Sequence, residues 1–165
     1  MCGGFYFTSH QHESLIHRPK QAYDNATPNG NGIAAVALQR LGHVLGELRY
    51  IKSAERVLQA FDSTIKRSPA GCASLIHVLN EYLMPPVMVI LRGNQQNMQH
   101  WRSELRKTYY PHHLFFYLDE QISEQENGLP LTLQRNYSVN VNAWVCKGVS
   151  CSQGIADLPS LLSQI

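Results

Sequence analysis

Apolar residues recur at helical spacing from Asn31 to Leu45, where Ile33, Val36, Ala37, Leu41, Val44 and Leu45 follow the period and only Arg40 interrupts it. Ala34, Ala35 and Leu38 carry apolar character round the rest of the turn, as expected of a helix held between neighbours. Pro28 to Asn31 supplies a breaker and an amide cap at its start, and Gly46 its stop. A second helix is predicted from Leu48 to Lys66, with Ile51, Ala54, Val57 or Leu58, Phe61 and Ile65 opposed to solvated Lys52, Glu55, Arg56, Gln59 and Asp62. A third, Ala70 to Leu83, sets Leu75, Ile76, Leu79 and Leu83 in period and ends at Pro85-Pro86. Short links between the three predict antiparallel hairpins.

Beyond the prolines the pattern changes. Val87 to Leu91 is a continuous apolar run, the mark of a strand buried on both faces. Gly93-Asn94 opens a helix to about Lys107, with Met98, Trp101 and Leu105 on one face, and Leu114 to Leu118 forms a second strand. Strand, helix and strand within so short a stretch predict a crossover with parallel strands. Residues 119–138 read as a long loop, Val141 to Cys146 as a third strand, and Asp157 as the cap of a last helix to Ser163. Residues 1–30 are loop-rich, with one strand-like run at Phe5-Tyr6-Phe7. The expected organisation is therefore two parts, 1–84 helical and 85–165 a small α/β subdomain with a mainly parallel sheet.

A chain of 165 residues with 44% hydrophobic and 16% charged residues suits a folded protein rather than long disorder. The net charge of +2 and the lack of a basic stripe argue against nucleic acid as a partner. No run approaches the ~20 apolar residues of a membrane span, so no membrane partner is expected. The start lacks a secretory signal, and the four cysteines suggest a reduced, cytoplasmic protein. Gly3-Gly4-Phe5-Tyr6-Phe7 reads like mid-protein sequence, so the chain is expected to be a fragment.

The candidate chemistry concentrates before the first helix, from Arg18 to Gly32. Arg18, Lys20, Asp24, Asn25, Asn29 and Asn31 offer cations, an acid and amides beside a helix N-terminus. Such a set suits a polar, uncharged or anionic ligand, with Asp24 accepting from hydroxyls or acting as a base. Equally, Asp24 and the asparagines cap turns and Arg18 pairs with Asp24. His10, His12 and His17 lie nearby with Glu13. His-x-His on a strand is a zinc-like geometry, but the further ligands are missing, so no metal or other cofactor is expected. One of these histidines, His12 foremost, is a candidate acid or base. Cys146 and Cys151 flank a turn, as half-buried thiols or as a redox pair, with Lys147 favouring thiolate. Cys72 and Trp101 read as core residues, and His112-His113 stands without a recognisable partner.

Gly4-Phe5-Tyr6, Leu15 to Lys20, Asp24 to Asn31, Val87 to Leu91 and Ala143 to Cys151 together resemble a family of thioredoxin-domain-containing proteins that includes the spermatogenesis-associated members. Asn29 stands where that family more often has serine. The resemblance implies the C-terminal part of an (α/α) six-hairpin barrel similar to N-acylglucosamine epimerases and glycosidases. On it, residues 1–84 are about three barrel helices and their polar entrance. A carbohydrate-active role then follows, with Arg18, Lys20, Asn25, Asn29 and Asn31 orienting a sugar-like ligand and Asp24 and His12 handling a proton. The competing expectation is a non-catalytic module that positions a thioredoxin-like domain. Neither that domain nor its Cys-x-x-Cys lies in this chain, so its redox activity is not carried over. Helices cut off from barrel neighbours expose apolar surface, which predicts self-association.

Overall fold

The computed structural model describes residues 3–11, 13, 15–123, 128–148 and 150–165. It is a mixed α/β structure in two compact units, Met1–His43 with Glu47–Met84, and Val44–Gly46 with Pro85–Ile165. Among the described residues no helix is long and apolar enough to cross a membrane.

The first unit holds α1 (Gly30–Leu45) up to His43, α2 (Leu48–Arg67) and α3 (Ala73–Leu83), with a 3-10 turn at Pro69–Cys72 leading into α3. The turn occupies what periodicity assigned to the start of the third helix. In α2 the buried residues are Ala54, Val57, Leu58, Phe61 and Ile65, the apolar stripe of the sequence. They pack with Ala35, Cys72, Leu75 and Val78 around one core.

The buried face of α1 differs from expectation. It is Asn31, Gly32, Ala35, Gln39 and Gly42 that lie inside, while Ile33 is 54% and Leu41 41% exposed. Close approach explains the choice. A Cβ at Gly32 would collide with Ser74 of α3, and one at Gly42 would come 2.6 Å from Cγ1 of Ile51 in α2. Small residues let the helix axes draw together, and the larger apolar residues are turned outward. Gly32 meets Ser74, Gln39 meets Val78 and Arg40 meets Glu81, so α1 and α3 run parallel, as two successive hairpins require.

The second unit contains β1 (Val87–Arg92), α4 (Gln95–Leu105), β2 (His113–Leu118), α5 (Glu120–Ser123), β3 (Asn142–Lys147), β4 (Ser150–Cys151) and α6 (Leu158–Leu162). Strand order is β2-β1-β3-β4. β1 and β2 are parallel across the α4 crossover, with Val87 opposite His113 and Leu91 opposite Tyr117. β3 is antiparallel to β1, and β4 to β3. The sheet is thus mixed rather than mainly parallel. β3 enters beside β1 in the opposite sense, a step that strand patterning does not encode. The two-residue β4 is also too short to show a pattern.

Alternation along β1 sends side chains to two apolar layers. Val89 and Leu91 pack with Met98, Trp101, Leu105, Ala143, Val145 and Leu161, whereas Met88 and Ile90 pack with Leu118, Leu133 and Cys146. The stretch read as a loop supplies part of the second layer through Leu133, in a 3-10 turn at Leu131–Leu133. Asn94 caps α4 by accepting from the Gln96 N–H, and Asp157 caps α6 by accepting from Ser160.

Gly93 joins β1 to α4 where the backbone of Val141 passes. A Cβ there would lie 2.8 Å from Val141 Cα and 3.1 Å from its nitrogen. Backbone atoms at the foot of a strand cannot yield as a flexible side chain does, so Gly93→Ala costs about 2–3 kcal/mol, the upper part of the overpacking range. Urea unfolding of the variant checks this, and an unchanged midpoint would show that the approach is not tight.

Candidate functional site

The segment before α1 is held by its own side chains. Asp24 Oδ1 accepts from the Asn29 N–H at 2.7 Å, from Asn29 Nδ2 at 2.9 Å and from the Ser74 hydroxyl at 2.5 Å. Its Oδ2 accepts from the Ser74 N–H at 2.8 Å. Burial pushes this carboxyl up, but the hydrogen bonds from Ser74 and Asn29 outweigh it and hold the pKa down at about 2. A carboxylate so stabilised takes up a proton poorly at neutral pH.

Asn29 and Asn31 are buried at 5% exposure each. Asn29 donates from Nδ2 to the Ala22 carbonyl and accepts from the Gly32 N–H, capping α1. Asn31 Nδ2 donates to the carbonyls of Phe5 and Gln21, and its Oδ1 accepts from the Phe5 N–H at 2.6 Å. Asn25 is exposed in a turn closed by its N–H to the Thr27 carbonyl.

Arg18 does not pair with Asp24. Its Nε donates to Thr8 Oγ1 at 3.2 Å and its Nη2 to the Thr8 carbonyl at 2.7 Å. Lys20 Nζ donates to the Gly3 carbonyl at 2.8 Å. Both cations also lie over the Tyr6 ring, at 4.4 and 4.6 Å from its centroid. Phe5-Tyr6-Phe7 is not a strand, being fastened through Asn31 and the Phe7 N–H to the Pro19 carbonyl. Two open hollows meet at Lys20. One of about 570 Å³ is lined by Tyr6, Thr8, His10 and Arg18, and one of about 410 Å³ by Tyr23, Asp24, Asn25 and Phe61.

His10 sits in a turn, not a strand, with Nδ1 3.5 Å from Arg18 Nη1, and His17 and Glu13 are exposed. His12 and Cys2 lie outside the described residues. Among the described residues no three metal-ligating side chains come together.

Cys146 and Cys151 are directly opposed across β3 and β4 and joined in a disulfide, rather than lying as separate thiols. The Ser152 N–H donates to the Val145 carbonyl, so the cysteines occupy the neighbouring non-hydrogen-bonded position, where cross-strand side chains come closest. Gly148, at φ 61°, supplies the left-handed conformation of the hairpin turn. Cys72 is a free, buried thiol pushed up by burial and by the nearby Asp24 charge.

One polar cluster was not singled out from the sequence. Glu81 is fully buried on α3 and accepts from Arg40 Nε at 3.0 Å and from its Nη2. His77 Nε2 stands 3.4 Å away, one turn earlier. The hydrogen bonds to Glu81 push the Arg40 guanidinium up against the opposing effect of burial. Burial lowers the pKa of His43, with Glu81 pulling it back. The available signal was Arg40 itself, the one cation in an apolar helix.

No family model matches the chain, and no solved structure matches it. It is similar to spermatogenesis-associated protein 20 of Homo sapiens, 25% identical over 161 residues. The match covers 94% of this chain and 20% of that protein, so the chain spans about a fifth of the length of the curated relative it resembles.

Proposed function

We propose that this chain is a non-catalytic interaction module whose α1 docks against a further apolar helix of a longer protein. The carrying observation is the outward stripe of Ile33, Ala37 and Leu41, spaced one turn apart and exposed. Meanwhile Asp24, expected to do chemistry, is held by Asn29 and Ser74 through four hydrogen bonds. The (α/α) barrel suggested by sequence resemblance provides such a neighbouring helix, and the module would serve there as a scaffold for a thioredoxin-like domain. In the isolated chain a second copy takes the helix's place.

Light scattering across a concentration series tests this. The chain self-associates, and Ile33→Glu with Leu41→Glu returns it to monomer with unchanged circular dichroism. A monomeric wild type at high concentration overturns the reading.

A second reading, a sugar-like ligand held at the entrance, is favoured by the two hollows meeting at Lys20 beside the half-exposed rings of Tyr6 and Tyr23. Aromatic faces flanked by cations and amides suit hydroxyl-rich or phosphorylated sugars. A thermal-shift screen against sugars and sugar phosphates, beside Arg18→Ala, separates the two. The interaction reading expects no saturable shift, and a saturable rise lost in the variant would replace it with the carbohydrate reading.

A further inference from the structure

In the second unit a cation is seated on the disulfide. Arg135 Nη2 lies 3.0 Å from Cys151 Sγ and 3.3 Å from Cys146 Sγ. Its Nη1 donates to the carbonyls of Thr132 at 3.2 Å and Gln134 at 2.6 Å, fixing the guanidinium in place. The Arg135 Cζ also stands 5.8 Å from the centroid of the Trp144 ring. The two sulfurs differ in access, for Cys146 is 1% exposed and packed beside Leu133, whereas Cys151 is exposed at the sheet edge. A neutral disulfide gains little from a guanidinium, while a thiolate gains a great deal. Lys147, next to Cys146 in β3, adds a second positive charge to the hairpin.

We propose that Cys146 and Cys151 form a thiol–disulfide exchange site that accepts two electrons from a dithiol, with Arg135 stabilising the thiolate that leaves. One thiolate of the dithiol attacks Cys151 Sγ, the accessible sulfur. The Cys146–Cys151 bond breaks, its electron pair departs on Cys146 Sγ, and a mixed disulfide joins Cys151 to the reductant. The second thiolate of the reductant then attacks its own sulfur in that mixed disulfide and releases Cys151. The dithiol ends as a disulfide, and its two protons are balanced by those taken up at Cys146 and Cys151. Reduction removes the covalent link between β3 and β4, so the hairpin end loosens and Cys146 becomes reachable. The site is independent of the α1 docking face.

The test uses the full chain carrying Cys2→Ser and Cys72→Ser, so that only this pair reports. Glutathione, a monothiol, is added under native conditions and the adduct mapped by mass spectrometry. It is expected on Cys151, and an adduct on Cys146 overturns the direction of attack. Reduction by dithiothreitol is then timed, and the reduced thiols are alkylated with iodoacetamide across pH. The rate falls about threefold to tenfold in Arg135→Met, since a poorer leaving thiolate departs more slowly, and recovers in Arg135→Lys. The alkylation midpoint of the wild type lies below the ordinary thiol value of about 8.5 and rises in Arg135→Met. Equal rates and midpoints in all three proteins overturn the proposal. So does a disulfide that resists dithiothreitol until the chain unfolds.

Discussion

Arg40→Met lowers the stability of the first unit by about 3–5 kcal/mol at neutral pH, the range for orphaning one member of a buried ion pair. The asymmetry of the pair sets the size. Glu81 is 0% exposed, while the Arg40 side chain is 37% exposed and reaches water at one end. Removing the arginine therefore leaves a carboxylate with nowhere to go, its other polar neighbour being His77 Nε2 at 3.4 Å. Glu81→Leu is milder, because the freed guanidinium turns to solvent and leucine fills the site. The double variant lies close to wild type, as replaced buried pairs often do. Urea unfolding followed by circular dichroism gives all four values and hence the coupling. A loss under about 1 kcal/mol for Arg40→Met would show that this pair is not what fastens α1 to α3.

Asp24→Asn costs about 2–3 kcal/mol, because an amide replaces one acceptor oxygen with a donor that faces the Ser74 N–H. The carboxylate joins the entrance segment, the start of α1 and the start of α3, so the effect spreads over the unit. Its folded pKa of about 2 lies below the ordinary 3.8. Stabilisation by a depressed acid is fully present above about pH 4 and is lost as pH falls through about 2. The gap between wild type and Asp24→Asn is accordingly constant from pH 5 to 8 and narrows between about 4 and 2. A gap that persisted unchanged at pH 2 would place the cost in shape rather than charge.

Both predictions concern pairings distant in sequence, and that separates what was legible from what was not. Asp24 and Asn29 were visible as capping residues, and the turn they form is local. Ser74, which completes the Asp24 site, is 50 positions away, and no spacing announces it. Arg18 and Lys20 were legible as candidates by residue type, but their contacts with Thr8, Gly3 and Tyr6 depend on backbone geometry that composition does not record. Nothing near Glu81 marks it as paired, because its partner Arg40 is 41 positions earlier.

By itself the sequence determined the kind and order of the principal elements: three helices, a buried strand, a crossover helix and its parallel partner. Those depend on periodicity, breakers and caps, which act within a few residues. Tertiary structure alone decided which side of α1 turns inward, since two glycines permit a contact that larger side chains would prevent. It also decided the antiparallel entry of β3 beside β1 and the placing of Arg135 over the two sulfurs. These outcomes rest on which distant surfaces fit together at close range, and neighbouring residues carry no record of that fit.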